Sequence, residues 1–178
     1  MTWMKVNKVR GIFTDENQSW KFDFSKSVWV TDQLHAVYTT IKDSILHDVD
    51  FIVEEEQSLL FIECKNANFK DAQYPNSFHP IKSDSIQNVA RKYYDSIHFV
   101  KGIGKSKDKK LIYIYIVESR SGSATERKGI RNRLKDRLPF KLQKKYEFQE
   151  RMIDDVHVLN IEEWNQKYPQ YPASRLKT

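Results

Sequence analysis

The segment HDVDFIVEEEQSLLFIECKNAN, residues 47–68, is the most informative about the fold. Two segments in it, VDFIVE and LLFIECK, are rich in valine, isoleucine, leucine and phenylalanine, and the polar run EEQS separates them. This order of apolar and polar segments predicts two β-strands joined by a turn. A turn centred between Glu56 and Gln57 would place Asp50 directly opposite Glu63, and Asp48 opposite Lys65.

The charged residues at the open end of this predicted hairpin fall on one face. Side chains alternate along a strand, so Glu63 and Lys65 share a face, which also carries Asp50. Two carboxylates that face each other at roughly 5 Å between their Cβ atoms repel unless a positive charge lies between them. Mg²⁺ or Mn²⁺, hard cations that prefer oxygen ligands, would supply that charge. Such a cation beside an ammonium suits phosphodiester hydrolysis, because the transition state gains negative charge.

Asp50 on one strand and Glu63-Cys64-Lys65 on the next resemble the active-site hairpin of the PD-(D/E)xK nuclease superfamily, with Val49 where that motif has proline. The resemblance implies that Asp50, Glu63 and the main-chain carbonyl of Cys64 hold Mg²⁺ or Mn²⁺. It implies that Lys65 orients the attacking water and stabilises charge on the phosphorane. It also implies a restriction-endonuclease-like core over about residues 31–165 and an endonuclease that acts on DNA rather than RNA.

Other interpretations of the same residues stay open. A solvent-facing strand laced with charge pairs would carry similar residues, although both faces of LLFIECK begin apolar, which is more typical of a strand covered on both sides. A nuclease fold without catalysis, binding nucleic acid or a protein partner, would keep the same core. An RNA endonuclease of a defence or toxin system is a third hypothesis. Asp48 would either support Lys65 or join a second metal ion.

The remaining chain predicts an α/β protein with a central mixed β-sheet flanked by helices, in the order β-β-α-β-β-α-β-α-β-α. A β-hairpin over residues 5–25 comes first. A helix from about 32 to 46 follows, with a core-facing stripe at helical spacing: Leu34, Val37, Tyr38, Ile41 and Ile45. We expect a single domain over residues 1–178, with a loose tail from 169 to 178.

A second helix is predicted from Asp84 to Lys101, with Gly102 ending it. Its apolar stripe would face the core: Ile86, Val89, Ala90, Tyr93, Ile97 and Val100. Helices in this position of the resembled superfamily often contact the phosphate or orient the lysine, so Gln87 and Arg91 are candidates for a supporting role. The loop before the helix, about residues 66–82, would border a substrate groove.

The last third of the chain predicts two further strands and a short helix. LIYIYIVE is apolar on both faces, which predicts an interior strand, and VHVLNI predicts another. Asn160 and Glu163 would cap a final helix that carries Trp164.

The chain is basic, with a net charge of +6 and a pI near 9.2. Its basic residues concentrate between 127 and 151, a pattern that favours contact with a phosphate backbone. The candidates for nucleic-acid binding are Lys128, Arg131, Arg133 and Lys135. A solvated helical face would explain the same residues equally well.

Size and composition restrict the class of protein. A chain of 178 residues that is 39% hydrophobic has enough apolar residues for one core. No run is as long as a membrane span and the first residues lack a signal-peptide pattern, so we expect a cytoplasmic protein. The single Cys64 excludes an internal disulfide. One such domain would need to form a homodimer, or act twice, to cut both strands of a duplex.

Overall fold

The computed structural model of the chain describes residues 11–15, 18–67, 79–119 and 122–176. Three predicted features fall partly outside these ranges: residues 5–10 and 16–17 of the first hairpin, residues 68–78 of the loop before the second helix, and residues 177–178 of the tail. In chain order, the elements are β1 (Ile12–Thr14), β2 (Trp20–Asp23), β3 (Trp29–Thr31), α1 (Leu34–Tyr38), β4 (Phe51–Glu54), β5 (Ser58–Asn66), α2 (Ser83–Gly102), β6 (Lys110–Glu118), α3 (Ala124–Arg137), α4 (Phe140–Lys145), β7 (Asp155–Leu159), α5 (Ile161–Lys167) and β8 (Ala173–Arg175).

A five-stranded mixed sheet forms the centre of the molecule, in the order β3-β4-β5-β6-β7. The pairs β3–β4 and β4–β5 are antiparallel, whereas β5–β6 and β6–β7 are parallel. The predicted α/β class with a central mixed sheet flanked by helices is therefore confirmed. LIYIYIVE lies in β6, between two neighbouring strands, as its apolar faces predicted.

The hairpin of β4 and β5 has the register that the sequence predicted. Phe51 pairs with Ile62 and Ile52 pairs with Phe61. Asp50 and Glu63 are the next residues on the two strands and therefore lie opposite each other. β5 extends well beyond β4 and pairs with β6 over its whole length. Glu63 and Lys65 therefore lie in the part of β5 that extends beyond the first residue of β4.

Each face of the central sheet is covered by its own hydrophobic core. On one face, Leu59 and Phe61 pack with residues of α2 and α3, including Tyr93 and Leu134. On the other face, Leu60 and Ile62 pack with Phe22 of β2 and Trp164 of α5. Both cores are built from alternate residues of the same strand, which explains why β5 is apolar in both directions.

A second, three-stranded sheet with the order β1-β2-β8 packs on the face that carries Trp164. β1 and β2 pair antiparallel, with Ile12 opposite Asp23. The prediction of a loose tail from residue 169 is wrong for its described part, because β8 pairs with β2 and buries Tyr171 and Ala173. β3 and β8 were not predicted, since strands of three residues are too short to show a period.

The first predicted helix is much shorter than expected. Only Leu34–Tyr38 is helical, and Ile41 and Ile45, predicted to face the core, are 52% and 74% exposed. The hydroxyls of Thr39 and Thr40 donate to main-chain carbonyls of the preceding turn, which competes with continuation of the helix. Asp43 then has a φ of +53°, which a right-handed helix does not allow.

The other helix predictions hold. α2 spans Ser83–Gly102 and buries the predicted stripe. α5 begins after Asn160, whose side chain accepts from the Glu163 amide, while the Glu163 carboxylate accepts from the Asn160 amide. Trp164 on this helix is fully buried. No helix in the described part of the chain has the length and apolar character that crossing a bilayer requires.

Candidate active site at the open end of the hairpin

Asp50 is fixed against the neighbouring strand by its own side chain. The main-chain N–H of Cys64 donates to Asp50 Oδ2 at 2.7 Å. This bond continues the β4–β5 pairing by one step, with a carboxylate in place of a main-chain carbonyl. Asp50 is therefore held beside Glu63 and Cys64, as the hairpin register predicted.

Glu63 lies on the face of β5 that α2 covers, and it is only 6% exposed. The Lys92 ammonium donates to both of its carboxylate oxygens, at 2.8 and 2.9 Å. Burial alone would lower the pKa of Lys92. The charge and hydrogen bonds of Glu63, with smaller contributions from Asp50 and Asp48, outweigh burial and leave the pKa raised. Lys92 is therefore a firmly protonated partner for the acidic end of the hairpin.

Sequence reasoning missed Lys92. The residue lies three positions after Val89 and four before Ser96, both of which are buried on α2. Helical spacing therefore places Lys92 on the flank of the core-facing stripe, next to the sheet. A search for cations on that flank would have found it, whereas our prediction followed the more solvent-facing Gln87 and Arg91.

A cleft of about 470 Å³ opens beside these residues. The described residues that line it are Thr14, Asp32, His35, Leu46, His47, Asp48, Asp50, Phe51 and Lys92. Three of them are carboxylates and one is an ammonium. The described lining is thus acid-rich, although the protein as a whole carries a net charge of +6.

Helix α2 also holds the segment that leads into Asp50. The Asp95 carboxylate accepts from the His47 amide at 2.9 Å, and the Ser96 hydroxyl accepts from the Val49 amide at 3.1 Å. Arg91, a candidate to contact the phosphate or orient the lysine, donates to the main-chain carbonyl of Ile45. The structure thus gives Arg91 a role in positioning the wall of the cleft.

Asp48 lies in this segment and contacts a histidine from α1. Its Oδ1 is 3.2 Å from His35 Nδ1. Asp48 was predicted to support Lys65 or to join a second metal ion, and the described contact of its carboxylate is with His35.

The two remaining predicted residues, Lys65 and Gln87, are exposed. Lys65 follows Cys64 on β5, and Gln87 lies on α2, one turn before Arg91. Neither is among the described residues that line the cleft. Within the described residues, Lys92 is therefore the lysine that the fold brings to Glu63.

The donors at this end of the hairpin are suited to a hard cation. Asp50 and Glu63 supply carboxylate oxygens. The N–H of Cys64 points toward Asp50, and in an extended strand the carbonyl of the same residue points to the same side. These are oxygen ligands of the kind that Mg²⁺ and Mn²⁺ take, with water completing the shell. Among the described residues, no three His, Cys, Asp or Glu side chains are already grouped to hold an ion.

The basic residues of α3 make contacts within the protein. Arg131 donates to the Val156 carbonyl at 2.7 Å and pairs with Asp155 at 3.1 Å. Arg133 donates to the Ile81 carbonyl at 2.6 Å. Lys135 lies over the Phe140 ring, 5.7 Å from its centroid, and Lys128 is exposed. Arg131 and Arg133 thus stabilise the packing of α3, which accounts for part of the basic pattern without a nucleic acid.

Comparisons with protein family models, with curated proteins and with solved structures found no match to this chain.

Proposed function

We propose that this protein is a divalent-metal-dependent nuclease that hydrolyses phosphodiester bonds at the open end of the β4–β5 hairpin. One observation carries the proposal: Asp50 and Glu63 come together beside an acid-rich cleft, with the Lys92 ammonium on Glu63. This is the combination of oxygen ligands and a cation that phosphodiester chemistry uses.

The charge of the cleft favours a metal-dependent reaction. A phosphodiester is an anion, and three carboxylates with one ammonium would repel it. A divalent cation held by Asp50 and Glu63 offsets most of this negative charge and gives the phosphate a favourable partner. Mg²⁺ or Mn²⁺ is the cofactor proposed, because the donors at the site are oxygens.

Each residue of the site has a separate role in the proposed reaction. Asp50, Glu63 and the Cys64 carbonyl would hold the cation, which when bound supplies Lewis-acid catalysis and an activated water. Lys92 would place its ammonium near the negative charge that develops on the phosphate. Lys65, the lysine of the sequence motif and an exposed residue of β5, remains the predicted water-orienting residue.

The finer assignment of a restriction-endonuclease-like core is part of this proposal. A mixed sheet supports it, because the motif hairpin is antiparallel and its second strand continues in parallel with β6 after helix α2. DNA is proposed as the substrate on the basis of the motif resemblance. A single domain of this size would need to form a homodimer, or to act twice, to cut both strands of a duplex.

The test incubates the purified protein with circular DNA, linear DNA and RNA, each in Mg²⁺, Mn²⁺ or EDTA. Asp50→Asn and Lys65→Ala are compared with Glu56→Gln, which changes an exposed carboxylate in the hairpin turn. We expect cleavage that requires the metal, persists in Glu56→Gln and is lost in Asp50→Asn and Lys65→Ala. Cleavage of RNA alone would reassign the substrate, and cleavage that survives in EDTA would contradict the proposal.

A second candidate function is binding without catalysis. The observation that favours it is the pair of hydrogen bonds from Lys92, which engages both oxygens of Glu63. An ammonium fixed there occupies the ligand that a metal would need. Under this alternative, nucleic acid or a protein partner would bind without cleavage in every metal condition, and Lys65→Ala would leave binding intact.

A further inference from the structure

A second polar pair, His35 and Asp48, lines the cleft beside Asp50 and Lys92. His35 Nδ1 lies 3.2 Å from Asp48 Oδ1. The two side chains differ in exposure, since that of His35 is 76% exposed and that of Asp48 only 19%. The imidazole is therefore open to a ligand, while the carboxylate behind it is largely enclosed.

Both partners are carried by anchored segments. Asp48 lies between His47 and Val49, whose amides donate to Asp95 and Ser96 of α2. His35 lies on α1, which is fixed by the buried side chains of Leu34 and Tyr38. Tyr38 also donates its hydroxyl to the Asp95 carbonyl. The two segments meet on Asp95 of α2, which holds the main chains that carry His35 and Asp48 close together.

The hydrogen bond fixes which nitrogen of His35 is basic. A carboxylate only accepts hydrogen bonds, so Nδ1 must carry the proton that is donated to Asp48. In the neutral imidazole, the lone pair is then on Nε2, at the far edge of the ring. A carboxylate that holds an imidazole in this tautomer is the arrangement used for proton transfer in many hydrolases.

We propose that His35 is the general base of this cleft and that Asp48 is its positioning residue. The inference rests on the proposed phosphodiesterase function and adds a residue to it. In the step, a water oxygen forms a bond to phosphorus and gives its proton to His35 Nε2. The ester oxygen leaves with the bonding electron pair and takes a proton from a second water, and the hydroxide so formed removes the proton from Nε2. The sum is hydrolysis of one phosphodiester by one water.

The environment of His35 determines how the test is read. The titratable and charged groups that face it in the described cleft are Asp32, His47, Asp48, Asp50 and Lys92. A pH profile of the wild type would report on all of them together. The contribution of His35 is therefore obtained from the difference in kcat between the wild type and variants that keep the other titratable groups.

The experiment measures kcat against pH for the wild type, His35→Gln and Asp48→Asn, with His98→Gln as the matched control. His98 is an exposed histidine on α2. Two substrates are used in Mn²⁺: a labelled DNA duplex and bis(p-nitrophenyl) phosphate, whose leaving group needs no proton. Mn²⁺ affinity is measured by calorimetry, and thermal melting checks the fold.

We expect His35→Gln to lower kcat about 10²-fold on both substrates, to flatten the acid limb of the pH profile and to leave Mn²⁺ affinity unchanged. Asp48→Asn should also lower kcat, because an amide can hold the opposite tautomer, and His98→Gln should match the wild type. A loss confined to the DNA substrate would overturn the base assignment, since it would place His35 on the leaving group. Unchanged kcat in His35→Gln would overturn the inference alone, whereas a wild type that cleaves neither substrate would overturn the proposed function with it.

Discussion

The two ends of the β4–β5 hairpin each hold a buried glutamate paired with lysine, and they differ in everything around that pair. At the turn, Glu54 is 9% exposed and pairs with Lys105 and Lys109. At the open end, Glu63 is 6% exposed and pairs with Lys92. Judged by burial and ion pairing alone, the two glutamates are equivalent.

The surroundings separate a structural ion pair from a candidate active site. Lys105 also lies over the Trp29 ring, 4.6 Å from its centroid, and Lys109 donates to the carbonyls of Glu55 and Glu56. The ammonium groups of Lys105 and Lys109 thus both pair with the Glu54 carboxylate, and they connect the end of β4 to the loop before β6. Glu63 instead lies next to Asp50, beside a cleft whose described lining has more carboxylates than ammonium groups. The balance of charge and the access to solvent, more than burial, indicate function here.

The largest expected difference between the two ends is in catalysis. We expect Glu63→Gln to reduce metal-dependent cleavage by about 10³-fold, because in the proposed function Glu63 is a charged ligand of the metal. Glu54→Gln should keep the wild-type kcat at temperatures where it is folded. Initial rates in Mg²⁺ on one DNA substrate measure both. Equal losses in the two variants would mean that activity follows the integrity of the hairpin and not the site.

Substitution of the paired lysines should also lower kcat only at the open end of the hairpin, by a smaller factor than Glu63→Gln. Lys92→Met is expected to lower kcat by about 10²-fold, since the ammonium beside Glu63 would no longer stabilise charge on the phosphate. Lys105→Met, the matched change at the turn, should leave kcat unaltered. Single-turnover rates separate this effect from substrate binding. If Lys92→Met is instead more active, the ammonium competes with the metal for Glu63 and does not stabilise the transition state.

Stability should show the opposite ranking. Glu54→Gln leaves two ammonium groups without their carboxylate, and we expect a loss of about 2 kcal/mol in the free energy of unfolding. Glu63→Gln also deprives Lys92 of a charged partner, but it relieves repulsion between Glu63 and Asp50. Its loss should therefore stay below about 1 kcal/mol. Urea unfolding of both variants in EDTA measures the two losses of unfolding free energy. A larger loss in Glu63→Gln than in Glu54→Gln would contradict the expectation.

The sequence predicted the arrangement of the candidate site because the hairpin is governed by local rules. Two apolar runs and the polar turn between them predicted the pairing of Phe51 with Ile62, and this register placed Asp50 beside Glu63. The capping pair of α5 and the stripe of α2 are equally local, and both were predicted.

Features that depend on tertiary contacts were not predicted. Lys92 comes to Glu63 from a helix 29 residues later in the chain, and His35 meets Asp48 only because α1 ends at Tyr38. The short α1 depends on threonine hydroxyls and on the contacts of residues 45–49 with α2, which no helical period shows. The basic pattern of α3 likewise gave no sign that Arg131 and Arg133 bind carbonyls of other segments.

The smallest expected effect is also the most direct test of the metal. A cation that binds only the folded protein at ten times its dissociation constant stabilises the protein by about 1.4 kcal/mol. For a domain of this size, that raises the melting temperature by about 3–6 °C. We expect this shift with Mn²⁺ in the wild type and in Glu54→Gln, starting from a lower baseline in the variant. Glu63→Gln should show no shift, because it has lost a charged ligand. A shift of equal size in all three proteins would place the cation elsewhere on the molecule, and the distinction drawn between the two ends of the hairpin would then fail.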